Sequence, residues 1–503
     1  RTDIFRYMIQ NARTHGKSEE ERKFTAMLKL FDPSSSLPVA ERGKAPVAIT
    51  SFFAGKPLVL DEKVKAGQID DYVTPTFYAP NVSWLVQRNG MNPRHSLMVS
   101  LNGSEGNHMH ANGISMELYG KGYVLGPDAG SGKALYQGLD YLEYYSQFPS
   151  HNTVCVDGIS SYPVMKSNHS FKLRALYPAA GERLPYQPIS YSEVYFREPE
   201  AFADQTRLNG IVNVGDSAGY YIDIFRSRKV EGGDKMHDYF YHNLGQHMTL
   251  TAADGSELGL QPTQELAFAG AHLYAYSYIY NKKRAVTSKD VKAGFTIQMP
   301  DKDDITMNLW MKGEEGREIF SALSPMTEGL SRIKNMPYSI KDQPTLTFVA
   351  RQKGEAWNRP FVAVYEPSTV KEPTCIVSVD YPQGKSEQQG SHVGIRVALT
   401  NGNVDWILSS DENAHHCKLE KLQARASYAL CRQSEKGETL QAFLGNGTQL
   451  EADGVSIQTD APADVLLLKQ DGKWMYTATA PCRVVVGKKK YTLSVSKELR
   501  LLK

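Results

Sequence analysis

Nowhere in its 503 residues does the chain sustain the roughly 18–20 uninterrupted apolar residues that a membrane-spanning helix requires, so no helical span is proposed. Cysteine is scarce. The five, at positions 155, 375, 417, 431 and 482, are odd in number, widely spread and without a CxxC pair, which excludes a disulfide scaffold. Cys417 and Cys431 fit either a bridge in an oxidising compartment or two buried thiols. Net charge is lacking as well: 57 Lys and Arg against 55 Asp and Glu leave +2, too little for a global field that would gather nucleic acid or an acidic membrane. A polyanion would have to be held by a local cluster. There is no internal repeat, no low-complexity tract, and no apolar signal-peptide core in the opening RTDIFRYMIQ. The first residue is Arg1 rather than Met, which reads as a mature or truncated product.

What is present is ordinary globular composition, 41% apolar and 22% charged, which argues against disorder, collagen or coiled coil. At roughly 150 residues per domain the length suggests about three domains. Residues 1 to about 31 read as helical, with Ile4, Met8 and Ile9 before a charged run and Phe24, Met27, Leu28 and Phe31 after it; Asp32-Pro33 stops the pattern. One or two helices cannot bury their apolar faces alone and need a partner. From about residue 76 the texture changes to short runs such as GYYIDIFRSRKV (219–230), TLTFVARQKG (345–354) and RPFVAVYEP (359–367), separated by turn residues. Such runs are the mark of antiparallel strands in a sandwich. The fold expected is mainly β: a helical segment at 1–75, a large antiparallel β-sandwich at 76–370 and a small C-terminal β domain at 371–503.

The chemistry concentrates between Gly106 and Gly158. His108-Met109-His110 is followed by Asp128 and then His151. Two imidazoles and a carboxylate suit three corners of a zinc tetrahedron, and the run from 115 to 125 is placed to leave His110 at one end and return Asp128 from the next turn. Two half-exposed histidines on a strand edge fit the same spacing. Tyr136, Tyr141, Tyr144 and Tyr145 crowd the segment between, with Arg88, Arg94, His95, Lys121, Lys133 and Lys166 around it. Tyrosine in such a place usually packs its ring, yet a phenol beside cations or a metal can serve as a base. Elsewhere, HDYFYH (237–242) reads as a hydrogen-bonded core cluster. His415-His416-Cys417 reads as a solvated loop, since neighbours on a strand point to opposite faces. Lys488-Lys489-Lys490 reads as an exposed hairpin turn, and the five tryptophans as packing residues.

GNHMHANGISMELYGKGYVLGPDAG (106–130) followed by SHNTVCVDG (150–158) resembles the heparinase II/III-like polysaccharide lyases, and 219–245 and 347–367 are similar to later stretches of the same sandwich domain. The resemblance implies an (α/α) toroid ahead of the sandwich, of which 1–75 would be the end, and a substrate cleft between the two. It implies a zinc ion, more a structural brace than a Lewis acid, held by His110, Asp128 and His151. It makes Tyr136 the nearest match to a catalytic tyrosine, with Tyr144 and Tyr145 the fallbacks; Tyr136 is then the leading base or acid with His108 assisting, the basic residues Arg88 and Arg94 are candidate partners for a carboxylate or sulfate, and Asn112, Tyr144 and Tyr145 are the other candidate substrate-binding residues. Asn112 stands where the family usually has Asp. The implied activity is β-elimination on a uronic-acid-containing polysaccharide such as a glycosaminoglycan, alginate or gum, in a periplasmic or secreted enzyme whose toroid completes the site. The expected partners are that acidic saccharide and the toroid of the same protein, with no nucleic acid and no membrane span. A carbohydrate-binding sandwich without catalysis and a glycoside hydrolase are the alternatives; the hydrolase would need paired carboxylates and yields no unsaturated product.

Overall fold

Two helices open the chain, α1 (Asp3–Thr14) and α2 (Ser18–Phe31). The helical stretch expected from the sequence is thus cut once, at Gly16, whose φ of +67° is the left-handed turn that glycine adopts without steric cost. Glu19, Glu20 and Glu21 place negative charge on the first turn of α2, where the helix dipole favours it. The helix ends where the Asp32 N–H bonds back to the Leu28 carbonyl, ahead of Pro33. Ile9, Leu28 and Leu60 are buried together, flanked by Phe5, Phe24 and Leu58. The helix pair therefore finds apolar cover in a later segment of its own unit, and Lys29 fastens that segment through the carbonyls of Asp61 and Val64.

The computed structural model describes residues 3–36, 58–90, 96–107, 110–132, 138–160, 166–215, 217–267, 274–327, 343–386 and 388–503. They fall into two compact units, 1–74 and 75–503. The second is mainly β and antiparallel. It holds a five-stranded sheet between Thr76 and Gly126, an eight-stranded sheet, a six-stranded sheet and a twelve-stranded sheet that begins at Ile376.

The strand Gly219–Lys229 shows why these layers stack. Side chains alternate across a strand. Tyr221 and Phe225 face one cluster, with Tyr239, Tyr241 and Phe348 of the six-stranded sheet and Leu101 and Met116 of the five-stranded sheet. Tyr220, Ile222 and Ile224 face another, with Ile395, Ile407, Leu430 and Phe443 of the C-terminal sheet. The eight-stranded sheet is covered on both faces, which is why its strands read as nearly continuous apolar runs. The C-terminal sheet, expected as a separate small domain, shares this second cluster with the sandwich and lies within the same unit. All five cysteines are buried and free, so Cys417 and Cys431 are not bridged. Among the described residues no helix is long and apolar enough to cross a membrane.

Candidate functional site

His110 precedes the strand Ser115–Gly120; Lys121 and Gly122, both at positive φ, reverse the chain into Tyr123–Gly126, and Asp128 follows two residues later. His151 enters from the other side, after the short turn Phe148–Ser150 and before the strand Val154–Val156. Its neighbour Asn152 clamps the two approaches. The Asn152 amide donates to the carbonyls of Met116 and Pro127 at 2.9 and 3.3 Å, and its oxygen accepts the His242 N–H at 2.6 Å. Below them the buried Arg207 guanidinium reaches the carbonyls of Ile114 and Asn152 at 2.7 and 2.6 Å while paired with Asp223. The sandwich core thus grips both loops that carry the site.

Asp128 and His151 meet directly, Oδ2 to Nδ1, at 2.8 Å. Burial alone would raise the Asp128 carboxyl; the charge and hydrogen bond of His151 and the Gly130 N–H together hold it well below the usual carboxylate range. Ionised, Asp128 only accepts, so the His151 Nδ1–H donates to it and Nε2 is the ring nitrogen left over. That Nε2 is buried and meets no hydrogen-bond partner among the described residues. The His110 ring lies 5.6 Å from that of His151 and edge-on to Tyr141 at 5.4 Å. Burial, with His151 adding to it, pushes His110 down to about 4 and so keeps it neutral.

Two imidazoles and a carboxylate fit a zinc-class ion in residue type. As arranged, Asp128 orients His151 rather than standing open as an independent donor, the carboxylate–histidine pairing found behind many metal ligands. One group of three among the described residues has donor atoms all within 4.8 Å of one another, and it is a different one, in the C-terminal sheet.

The other expected residues divide. Arg88 ends the strand Trp84–Arg88 and lines a cavity of 170 Å³ with Met98, Tyr119 and Tyr123. Asn112 is half-buried, its side-chain oxygen enclosed without a partner among the described residues. Tyr144 and Tyr145, expected at the substrate, are 1% and 4% exposed. They sit in a helical turn, Tyr141–Tyr145, that turns both rings into a cluster with Phe240, Tyr276 and Val349; the Tyr145 hydroxyl is bonded to the Met326 carbonyl. In this structure they pack beneath the site. His108, Arg94 and Tyr136 lie outside the described residues. His237, Asp238 and His242 are buried and bonded to Ser227, Arg351 and Thr347 respectively, a core network.

Sequence reasoning missed Glu117. It faces Asp128 from mid-strand and accepts the Tyr119 hydroxyl at 2.7 Å; burial and the Asp128 charge raise its carboxyl to about 7. It also missed the Asn152 clamp and the Arg207–Asp223 pair. The only sequence signal for these was a charged or amide residue inside an otherwise apolar strand or beside a site histidine.

Residues 383–468 match the family described as the endo-acting ulvan lyase C-terminal domain. Over 487 residues, 91% of this chain, the sequence is 26% identical to an endo-acting ulvan lyase of Formosa agariphila; the chain spans 57% of that relative's length. Among solved structures, a heparinase III aligns with TM-score 0.37 and 11% identity over 65% of this chain and 42% of its own. The heparan sulfate lyase HepC of Pedobacter heparinus aligns with TM-score 0.37 and 12% identity over 79% and 46%. By its sequence, then, the chain is similar over nine-tenths of its length to an endo-acting ulvan lyase, and its residues 383–468 match the C-terminal domain described for such enzymes.

Proposed function

We propose that this chain belongs to a lyase that cleaves a uronic-acid-containing polysaccharide by β-elimination, with ulvan the first substrate to try. The observation that carries the reading is the convergence of His110, Asp128 and His151 on one locus, gripped by the sandwich core, in a chain homologous to a lyase. In β-elimination the C5 proton is made acidic by the neighbouring carboxylate, a base removes it, and an acid protonates the oxygen leaving C4. Neutralising the carboxylate stabilises the enolate-like intermediate. Tyr136 is the proposed base or acid and His108 its assistant, both flanking the locus in sequence; Arg88 and Arg94 are the proposed partners of substrate anions. His151 and His110 would hold a zinc ion, with Asp128 holding His151, and the ion would supply a fixed positive charge that braces the two loops. The proposed location is periplasmic or secreted, where a polymer is met, and the proposed partner within the intact protein is an N-terminal toroid.

The test is incubation of the intact protein with ulvan, alginate and glycosaminoglycans, following ultraviolet absorbance of the new C4–C5 double bond. Growth of that absorbance, abolished by Tyr136→Phe and His151→Ala, supports the lyase. Reducing sugar without it means a hydrolase, and binding without either product means a carbohydrate-binding module.

A further inference from the structure

A second cluster of metal-type donors lies far along the chain, in the C-terminal sheet, and the lyase chemistry makes no use of it. His392 opens the strand His392–Leu399 and pairs in register with Ser410, the last residue of the strand Val404–Ser410, so Asp411 comes just beyond it. A tight turn, closed by the His415 N–H on the Glu412 carbonyl, then brings His415 back. The strand His416–Leu419 follows and carries Cys417. One ligand atom each from His392, Asp411 and His415 lies within 4.8 Å of the others. The Cys417 thiol is 3.1 Å from His392 Nδ1 and is itself buried.

Each donor is prepared. His392 Nε2 meets the Gln388 carbonyl at 3.2 Å and therefore donates, which leaves the lone pair on Nδ1, facing the cluster. Asp411 accepts the Ser391 N–H at 3.0 Å and the Trp357 indole N–H at 2.7 Å, one on each oxygen, and keeps a further lone pair on both. His415 Nδ1 is buried and has no partner among the described residues. Gly390 completes the cradle: a Cβ there would lie 2.8 Å from Asp411 Oδ1 and 2.9 Å from His415 Nδ1. Only a glycine leaves that space open.

We propose that His392, Asp411, His415 and Cys417 form a binding site for a zinc-class divalent cation. Two imidazoles, a carboxylate and a thiol favour a borderline-soft ion over calcium or magnesium, which prefer all-oxygen shells. Zinc bonds of roughly 2.0–2.3 Å put tetrahedral ligands about 3.3–3.8 Å apart; the ligand atoms of His392, Asp411 and His415, within 4.8 Å of one another, draw in by side-chain rotation, and Cys417, already in reach of His392, turns its thiol toward the other two. Cys417 gives up its proton to solvent when it ligates. The site is structural. Its second-sphere contacts reach the sandwich through Trp357, on the strand Ala356–Thr369, and through Arg226, which bonds Ser391 at 2.8 Å and Ser409 at 3.2 Å. A cation here would pin the C-terminal sheet to the eight-stranded sheet.

The site stands independently of the lyase reading. The test loads chelator-stripped protein with Zn²⁺ and with Co²⁺, measuring bound metal per chain, thermal midpoint and absorbance. The proposal expects a zinc-dependent rise in midpoint and a thiolate-to-cobalt charge-transfer band in the wild type. Cys417→Ser loses the band, and His415→Ala loses one equivalent of metal. Trp357→Phe, which frees Asp411, weakens binding about 10- to 100-fold. His416→Ala and His151→Ala retain the band, the latter because the His110–Asp128–His151 locus offers no sulfur. Absence of the band from the wild type overturns the proposal, even if every variant misfolds. So does a band unchanged in Cys417→Ser, or metal content unchanged in His415→Ala.

Discussion

At the scale of single residues the most consequential feature is the buried Arg207–Asp223 pair, bidentate at 2.7 and 2.8 Å, with the Tyr239 hydroxyl and the Asn209 amide satisfying the remaining lone pairs of the carboxylate. Buried ions cost more to desolvate than surface ones, and removing one partner strands the other. Asp223→Asn is expected to destabilise the protein by about 3–5 kcal/mol in urea unfolding, whereas the apolar double replacement Arg207→Met/Asp223→Leu recovers much of that loss. The same arginine also supports the site, so the double variant should lose turnover more than stability: the carbonyls of Ile114 and Asn152 no longer have a guanidinium to hold them. Asp128→Asn tests the other end. An amide in place of the carboxylate no longer fixes the His151 proton on Nδ1, and metal affinity at that locus is expected to fall about 10- to 100-fold in a competition titration.

At the scale of elements, two glycines at similar φ separate backbone strain from crowding. Gly16, φ +67°, turns α1 into α2 with nothing within 4 Å of where a Cβ would stand; Gly113, φ +61°, sits where a Cβ would come 2.8 Å from the Phe148 ring and 3.0 Å from the Thr153 hydroxyl. Gly16→Ala should cost about 1 kcal/mol, the left-handed penalty alone. Gly113→Ala should cost more and displace the turn that delivers His151, so that circular dichroism melts and turnover both fall. The elements themselves were largely legible: the runs at 219–230, 345–354 and 359–367 became the strands Gly219–Lys229, Thr345–Lys353 and Ala356–Thr369. Local alternation encodes that much. The expected solvated loop at His415-His416-Cys417 was not: strand alternation sends His416 away from Cys417, but His415 lies in the turn before the strand, where that rule does not apply. Tyr144 and Tyr145 escaped for a related reason, since the helical turn that buries both has no signature distinct from a Gly-rich loop.

At the scale of the whole molecule, buried titrating groups set the response to acid. Burial pushes His110, His169 and His242 each down to about 4, against an ordinary value near 6.5. Between those values the unfolded chain binds protons that the folded one does not, so their stabilisation is complete above about 6.5 and is lost as pH falls toward 4. Glu117 and Glu198, raised to about 7 by burial, act in the opposite sense: their contribution is present below about 4.5 and is lost as pH rises through 7. In urea unfolding between pH 7 and pH 4, His242→Gln should lose less stability on acidification than the wild type and Glu198→Gln more, each by on the order of 3 kcal/mol across the window.

Composition and alternation by themselves determined that this is a mainly β protein with a helical opening, and the motif of histidines and aspartate singled out the loops that carry the candidate site. Those are properties of residues near one another in sequence. Tertiary structure alone decided the rest: that Asp128 orients His151, that Arg207 and Asn152 hold both loops, that Glu117 joins them, and that His392 meets Asp411 and His415 beside a glycine-lined gap. Each of these depends on which strands pair and in what register: a shift of one residue would turn Glu117, Arg207 and His392 to the opposite faces of their sheets and carry the loops between with them.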